Sequence, residues 1–503
     1  MGETSCGGGF FSHGAQTRQA LNNRALTIAS LFFLVIVAGA LISTPWIDAS
    51  IFAGSSFRQA VYSVSGSHAV RPNITYSLDC SSVNNKDNQT CPVIYPTTYE
   101  TDGGAGKCPE YFRWIHEDLL PWIDGGVTLE MVENAKNFAS IRIVVVNGSV
   151  YVEKYRGVYQ TRDVFTIWGI LQLLRLYPGK LPDLDLMFQC DDIPNIRKSD
   201  FTGENAPKTP PSFHYCGDDN TLDIVFPDWS FWGWPEVGVP PWDSLKKELE
   251  EGNSRINWTQ RGPYAQWKGS IWVSDIRKDL VKCNADDKQD YLRASHLDWV
   301  EEQRKGFKNT NLADQCNYRY KIYVEGFAWS VGEKYILACD SMSLLISPQY
   351  YDFFTRGLIP TIHYWPIKKN DMCKSIKYAV DWGNKHTQKA QKIGKAASRF
   401  IQEELTMKHV YDYMFHLLNM YGKLLRYKPS VPPKAVQMCL ESMACPAGGL
   451  EKEYELQSMV RTPENNDPCT LPPPYARHDL QAFIERKANL TRKVEMWEEK
   501  GEI

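Results

Sequence analysis

The chain has 503 residues and a formal net charge of −3, with acidic and basic side chains interspersed. That balance excludes a nucleic-acid surface built on bulk positive charge, and the length exceeds one ordinary core. Aromatic residues reach 13 %, with 16 Trp; carbohydrate clefts and large aromatic cores both use them, so the count chooses neither.

Residues 1–24 are polar and carry Arg18 and Arg24. Residues 25–42 carry no charge, and the uncharged run continues to Ile47 before Asp48. At about 1.5 Å per helical residue this run spans a hydrocarbon core of about 30 Å. Trp46 falls at an interfacial position, and the basic flank precedes the run, which predicts a type II signal anchor over 25–47 with a lumenal body. A cleaved signal peptide is the alternative; the long polar lead and the long apolar run argue against it. Five N-glycosylation sequons, at Asn73, Asn88, Asn147, Asn257 and Asn489, all follow the anchor. Of 13 cysteines only Cys6 precedes it, and the other twelve permit up to six disulfides in an oxidising compartment.

Residues 48–107 are rich in Ser, Asn, Thr and Pro and read as a stem. A Val-rich run from Ile141 to Val146, then Asn147-Gly148, then Val150-Tyr151-Val152 predicts a hairpin. Residues 163–176 form an apolar-periodic helix stopped by Pro178-Gly179, and 184–190 a buried strand. Short strands are expected at 319–324, 344–346 and 361–364, and long helices at 388–405 and 408–427. A Pro-rich stretch follows to about residue 474, then a charged helix over 479–499. Alternating helices and strands in both halves predict two facing α/β domains, over 108–255 and 256–427, with 428–503 as an extension.

Ligands of open α/β sheets bind beyond the carboxyl ends of the strands, and two strand ends carry suitable chemistry. Asp191 and Asp192 follow the strand ending at Cys190. One of two crowded carboxylates is a candidate general base; a solvated loop pair is the alternative. The strand ending at Val324 runs into Glu325-Gly326, an aromatic turn, and Ser330-Val331-Gly332-Glu333. That pattern reads as a capping box opening a helix whose free N–H groups suit a diphosphate, with Lys334 as an added cation. Asp183-Leu184-Asp185 matches the metal-holding Asp-x-Asp pattern. It stands at the start of its strand, however, so it reads as an entry turn, and no metal is expected.

Several blocks, taken together and in order, resemble glycosyltransferase family 90, which includes Rumi-type protein O-glucosyltransferases, capsule xylosyltransferases and a plant branch. They are Leu184-Asp185-Leu186 through Asp192-Ile193-Pro194; Phe226-Pro227-Asp228-Trp229-Ser230-Phe231-Trp232; Trp267-Lys268-Gly269-Ser270; Cys316 through Glu325-Gly326 and Ser330; and Ile359-Pro360 through His363-Tyr364. The extended C-terminus is similar to the plant branch. The resemblance implies a two-domain GT-B fold, a UDP-sugar donor, inversion, and no cofactor or metal. It places the catalytic base on Asp192 and an acceptor-side position on Asp191, where animal members carry Arg. It places donor binding on Trp229, Phe231, Lys268, Glu325, Gly326, Ser330 and Lys334. The expected function is transfer of glucose or xylose from UDP to a glycan or polysaccharide in the Golgi, since no ER-retrieval tail ends the chain. The alternatives are a protein O-glucosyl- or O-xylosyltransferase acting on disulfide-rich domains, and an inactive lumenal glycan-binding or scaffold protein.

Overall fold

The computed structural model describes residues 74–81, 91, 99–284 and 291–502. The expected anchor, Asn73 and Asn88 lie outside them; among the described residues no helix is long and apolar enough to cross a membrane.

Strands β1 (Ile141–Val146), β2 (Ser149–Lys154), β3 (Leu184–Phe188), β4 (Phe213–His214), β5 (Gly217–Asp218) and β6 (Ile224–Val225) come first. Strands β7 (Gly262–Gly269), β8 (Leu292–His296), β9 (Tyr318–Tyr323), β10 (Met342–Ile346), β11 (Tyr350–Tyr351), β12 (Trp365–Ile367) and β13 (Val436–Met438) follow. One sheet has the order β13-β2-β1-β3-β4-β6 and the other β12-β10-β9-β7-β8; β5 and β11 pair as a small ribbon. The second sheet is wholly parallel. In the first, β1 pairs antiparallel with β2 and β3, while β3, β4 and β6 run parallel. The α/β expectation holds, and the first sheet is mixed because the Asn147-Gly148 hairpin, with β13 beside it, makes up its antiparallel half.

Both hairpin-turn residues have positive φ, 50° and 75°, as a tight two-residue turn between twisted strands demands. Asp183 Oδ1 accepts the Asn147 N–H at 2.8 Å, and Asn147 is exposed. Asn257 and Asn489 are exposed as well. The helix Arg162–Leu176 lies in the first core and is buried along most of its length.

Several boundaries differ from those expected. The helix Met407–Leu424, assigned to the second domain, returns to the first sheet, where Tyr421 Oη donates to Asp185 O at 3.0 Å. Strand β13 extends that same sheet beside β2, so the Pro-rich stretch is part of the body. From Ile74 the expected stem is also body. Tyr76 is 2 % exposed and donates to Arg175 O, while Cys80–Cys445 and Cys91–Cys439 fasten it covalently. Residues 361–364 form a turn, with φ of 61° at Thr361, and the strand starts only at Trp365. The final helix, Arg477–Lys500, spans both halves: Phe483 packs on the first core and Val494 in the second.

Among the described residues ten cysteines form five disulfides, the remaining three being Cys108–Cys469, Cys283–Cys373 and Cys316–Cys339. The sixth permitted bond does not form: Cys190 and Cys216 are buried free thiols.

Candidate active site

A cavity of about 890 Å³ is lined by Arg162, Asp192 and Trp229 on the side of the first sheet and Lys268, Arg277 and Ser330 on that of the second. Asp192 sits just beyond the carboxyl end of β3. Cys216 Sγ donates to its backbone carbonyl at 3.4 Å, and Arg162 Nη2 lies 3.1 Å from its Oδ1. Arg162 is itself fixed: Nη1 donates to Cys190 O at 3.2 Å, and the guanidinium lies 4.6 Å over the Trp229 ring. A buried guanidinium clamped by a carbonyl and an indole orients one carboxylate oxygen and leaves the other open. Asp191 is exposed, accepts from Gln189 Nε2 at 3.0 Å and stays outside the cavity wall.

The Trp229 block splits in two. Trp229 and Trp329 line the cavity, and each holds a buried indole N–H without a partner. Buried donors are normally satisfied, so these two suit ligand hydroxyls. Phe231 instead points into the core against Trp242 and Phe353. Lys334, expected at a diphosphate, is 1 % exposed and donates to Asp228 Oδ2 at 2.9 Å. Burial opposes its charge, but Asp228, with Tyr335 and Asp352 behind it, brings a net rise in its pKa. Asp228 in turn accepts from Ser230 N at 2.8 Å, so the pair braces the Trp229 turn from behind. Phe231 and Lys334 therefore support the wall and do not form it.

The expected capping box does not form. The helix runs only from Glu333 to Leu337, and its N-cap, Gly332, makes no side-chain bond. Ser330 Oγ accepts from Arg277 Nη2 at 3.3 Å, and Ser330 N donates to Tyr323 Oη at 3.0 Å. Glu333 is 3 % exposed and cannot reach back as a cap.

Arg277, not singled out in the sequence, is the cation that faces this end of the cavity. It donates to Ser270 O, Val324 O and Glu325 O at 3.0 to 3.2 Å, and has no carboxylate partner among the described residues. Burial pulls its pKa down to about 10, so it stays charged at neutral pH. A desolvated guanidinium held by three carbonyls and the Ser330 hydroxyl, all neutral, complements an incoming anion. Lys268 is exposed on the cavity wall and donates to Asn309 O at 2.8 Å.

Gly326 borders both this cavity and a second one, of about 790 Å³. Glu325 faces the second cavity, where it accepts from Gln349 N and Tyr350 N at 2.8 Å each. Burial pushes its pKa up to about 7 against those two bonds.

The Asp-x-Asp carboxylates are both committed elsewhere. Asp183 caps the hairpin turn, and Asp185 receives Arg142 Nε and Nη2 at 2.7 Å each. Cys108, His416 and Cys469 converge, but the two sulfurs are joined as a disulfide and cannot ligate a metal.

A carboxylate on one wall, a guanidinium without a carboxylate partner on the other and two indole N–H groups without partners give the cavity the chemistry to hold a polar, anionic ligand. The family model described as "Glycosyl transferase family 90" matches residues 104–498, and the chain belongs to that family. It is accordingly a glycosyltransferase by descent. The O-glucosyltransferase rumi of Drosophila melanogaster is 26 % identical over 354 residues, 65 % of this chain and 80 % of the relative. Protein O-glucosyltransferase 1 of Homo sapiens is 24 % identical over 334 residues, 64 % of this chain and 82 % of the relative.

Proposed function

We propose that the protein is an inverting glycosyltransferase that moves glucose or xylose from a UDP-sugar to an acceptor hydroxyl, without a metal. The observation that carries this reading is the opposition of Asp192 and Arg277 across one cavity. Asp192 takes the proton of the acceptor hydroxyl while that oxygen attacks the anomeric carbon and the bond to the diphosphate oxygen breaks. Arg162 holds the carboxylate in register. Arg277, Lys268 and the Ser330 hydroxyl receive the charge that develops on the departing UDP. Trp229 and Trp329 offer their indole N–H groups to sugar hydroxyls.

The acceptor is a glycan or polysaccharide, and the enzyme works on the lumenal side of the Golgi membrane from its N-terminal anchor. The signal anchor expected from the sequence of residues 25–47 supports this acceptor class, while Asp191, where animal members of the family carry Arg, leaves the acceptor open. A second reading, a hydroxyl on a disulfide-rich protein domain, is favoured by the names of the relatives above.

The deciding measurement is sugar transfer and hydrolysis by the full chain over a panel of UDP-sugars. Asp192→Asn should cut transfer by about 10²- to 10⁴-fold and leave UDP binding intact; undiminished transfer overturns the role of Asp192. Loss of activity in EDTA would overturn the metal-independent part.

A further inference from the structure

Lys321 lies in the middle of β9 and is 1 % exposed, yet it lines the same cavity as Asp192 and Arg277. Its sole polar partner among the described residues is Gln266 Oε1, its neighbour across the β7 pairing. Its neighbour on β10 is Ser343, whose hydroxyl is buried and unpartnered. An ammonium has three donors, and here one is used. Burial alone pulls its pKa down to about 7, with no carboxylate to restore it. A buried charge without a counter-ion is costly and is normally paired or discharged.

The rest of the cavity sharpens the imbalance. Its carboxylates are Asp192, paired with Arg162, and Asp314, paired with Arg255. Lys268, Arg277 and Lys321 all face it without a carboxylate. A diphosphate answers to Arg277 at the end of β9. Lys321 stands three residues before Val324, whose carbonyl accepts from Arg277, about 10 Å along the backbone at about 3.3 Å per residue. A second anionic group on the ligand would pair with it there, and a planar carboxylate offers acceptor oxygens for its two idle N–H donors.

We propose that Lys321, flanked by Gln266 and Ser343, is a carboxylate subsite, and that one of the two sugars this enzyme engages is a uronic acid. The inference rests on the UDP-sugar reading above: a uronic acid in the acceptor adds a charge to it, and one in the donor replaces the glucose or xylose named there. The carboxylate belongs either to the sugar of the donor or to the acceptor glycan, and binding measurements separate these sources.

In the first arm, the full chain is titrated with UDP, UDP-glucose and UDP-glucuronate. In the second, the UDP-loaded chain is titrated with a uronate-containing disaccharide and its neutral counterpart. The acidic ligand should bind about tenfold tighter or more in one arm, the worth of one charge-assisted hydrogen bond. Lys321→Met should erase that preference while UDP affinity stays unchanged. Gln266→Leu should weaken the same preference. The Lys321→Met variant should melt no lower than the parent, because it removes an uncompensated charge; a purely structural lysine would lower Tm. No acidic preference in either arm, or equal weakening of UDP itself by Lys321→Met, overturns the subsite. Failure of the parent chain to bind UDP at all would overturn the nucleotide-sugar reading and the subsite with it.

Discussion

Lys334 Nζ lies 2.9 Å from Asp228 Oδ2, and the two side chains are 2 % and 1 % exposed. The pair joins the short helix after β9 to the turn that carries Trp229, two segments 106 residues apart in the chain. Removing one partner strands the other charge in the core, which costs about 3–5 kcal/mol. Lys334→Met should therefore lower Tm sharply, measured by thermal unfolding. UDP affinity per folded molecule should stay near that of the parent; a specific loss of UDP binding without loss of Tm would return Lys334 to the donor site.

Arg162 is a positioning residue, since it touches the base and not the reacting atoms. Replacing it with Met keeps the stacking volume over Trp229 but releases the Asp192 oxygen held at 3.1 Å. Small misplacements of a catalytic group cost about 100-fold. Arg162→Met should lower kcat by that order, leave the UDP dissociation constant unchanged, and be visible in single-turnover kinetics.

Arg277 should behave in the opposite way. Three carbonyls and the Ser330 hydroxyl hold its fork, and a lysine cannot reproduce that planar geometry. Arg277→Lys should weaken UDP binding by about 10- to 100-fold, the worth of one or two charge-assisted bonds, as measured by calorimetry. Retained UDP affinity would move the diphosphate elsewhere in the cavity.

These contrasts show which features were legible along the chain. The β1–β2 hairpin and the helix Arg162–Leu176 rest on local period and turn chemistry, so their residues announce them. Asp192 was legible because it follows a strand end and stands in an ordered motif. Arg277 was not: on the short helix Asp275–Lys282 it resembles any surface cation. It gains its role only when Ser270, Val324 and Glu325 turn their carbonyls toward it. Ser330-Val331-Gly332-Glu333 misled for the reverse reason. The local cap pattern is intact, but Glu333 is drawn into the core beside Tyr323 and Asp352, and Arg277 claims the Ser330 hydroxyl. Tertiary burial outweighs a cap worth about 1 kcal/mol.

Glu455 offers a test of folding electrostatics away from the cavity. It is fully buried on the helix Gly449–Gln457, and neither carboxylate oxygen has a partner. Burial, reinforced by Glu451, pushes its pKa up to about 8 from 4.5. Between those values the folded chain holds a proton that the unfolded chain has released. Stability from this group is thus present below pH 4.5 and is lost as pH rises toward 8. Glu455→Gln stays neutral throughout and should leave Tm unchanged near pH 4.5. At pH 8.5 it should stabilise the protein by about 1–3 kcal/mol, the cost of an unsatisfied buried group. Paired thermal melts of parent and variant at the two pH values decide it, and an equal effect at both would mean that Glu455 is not protonated in the fold.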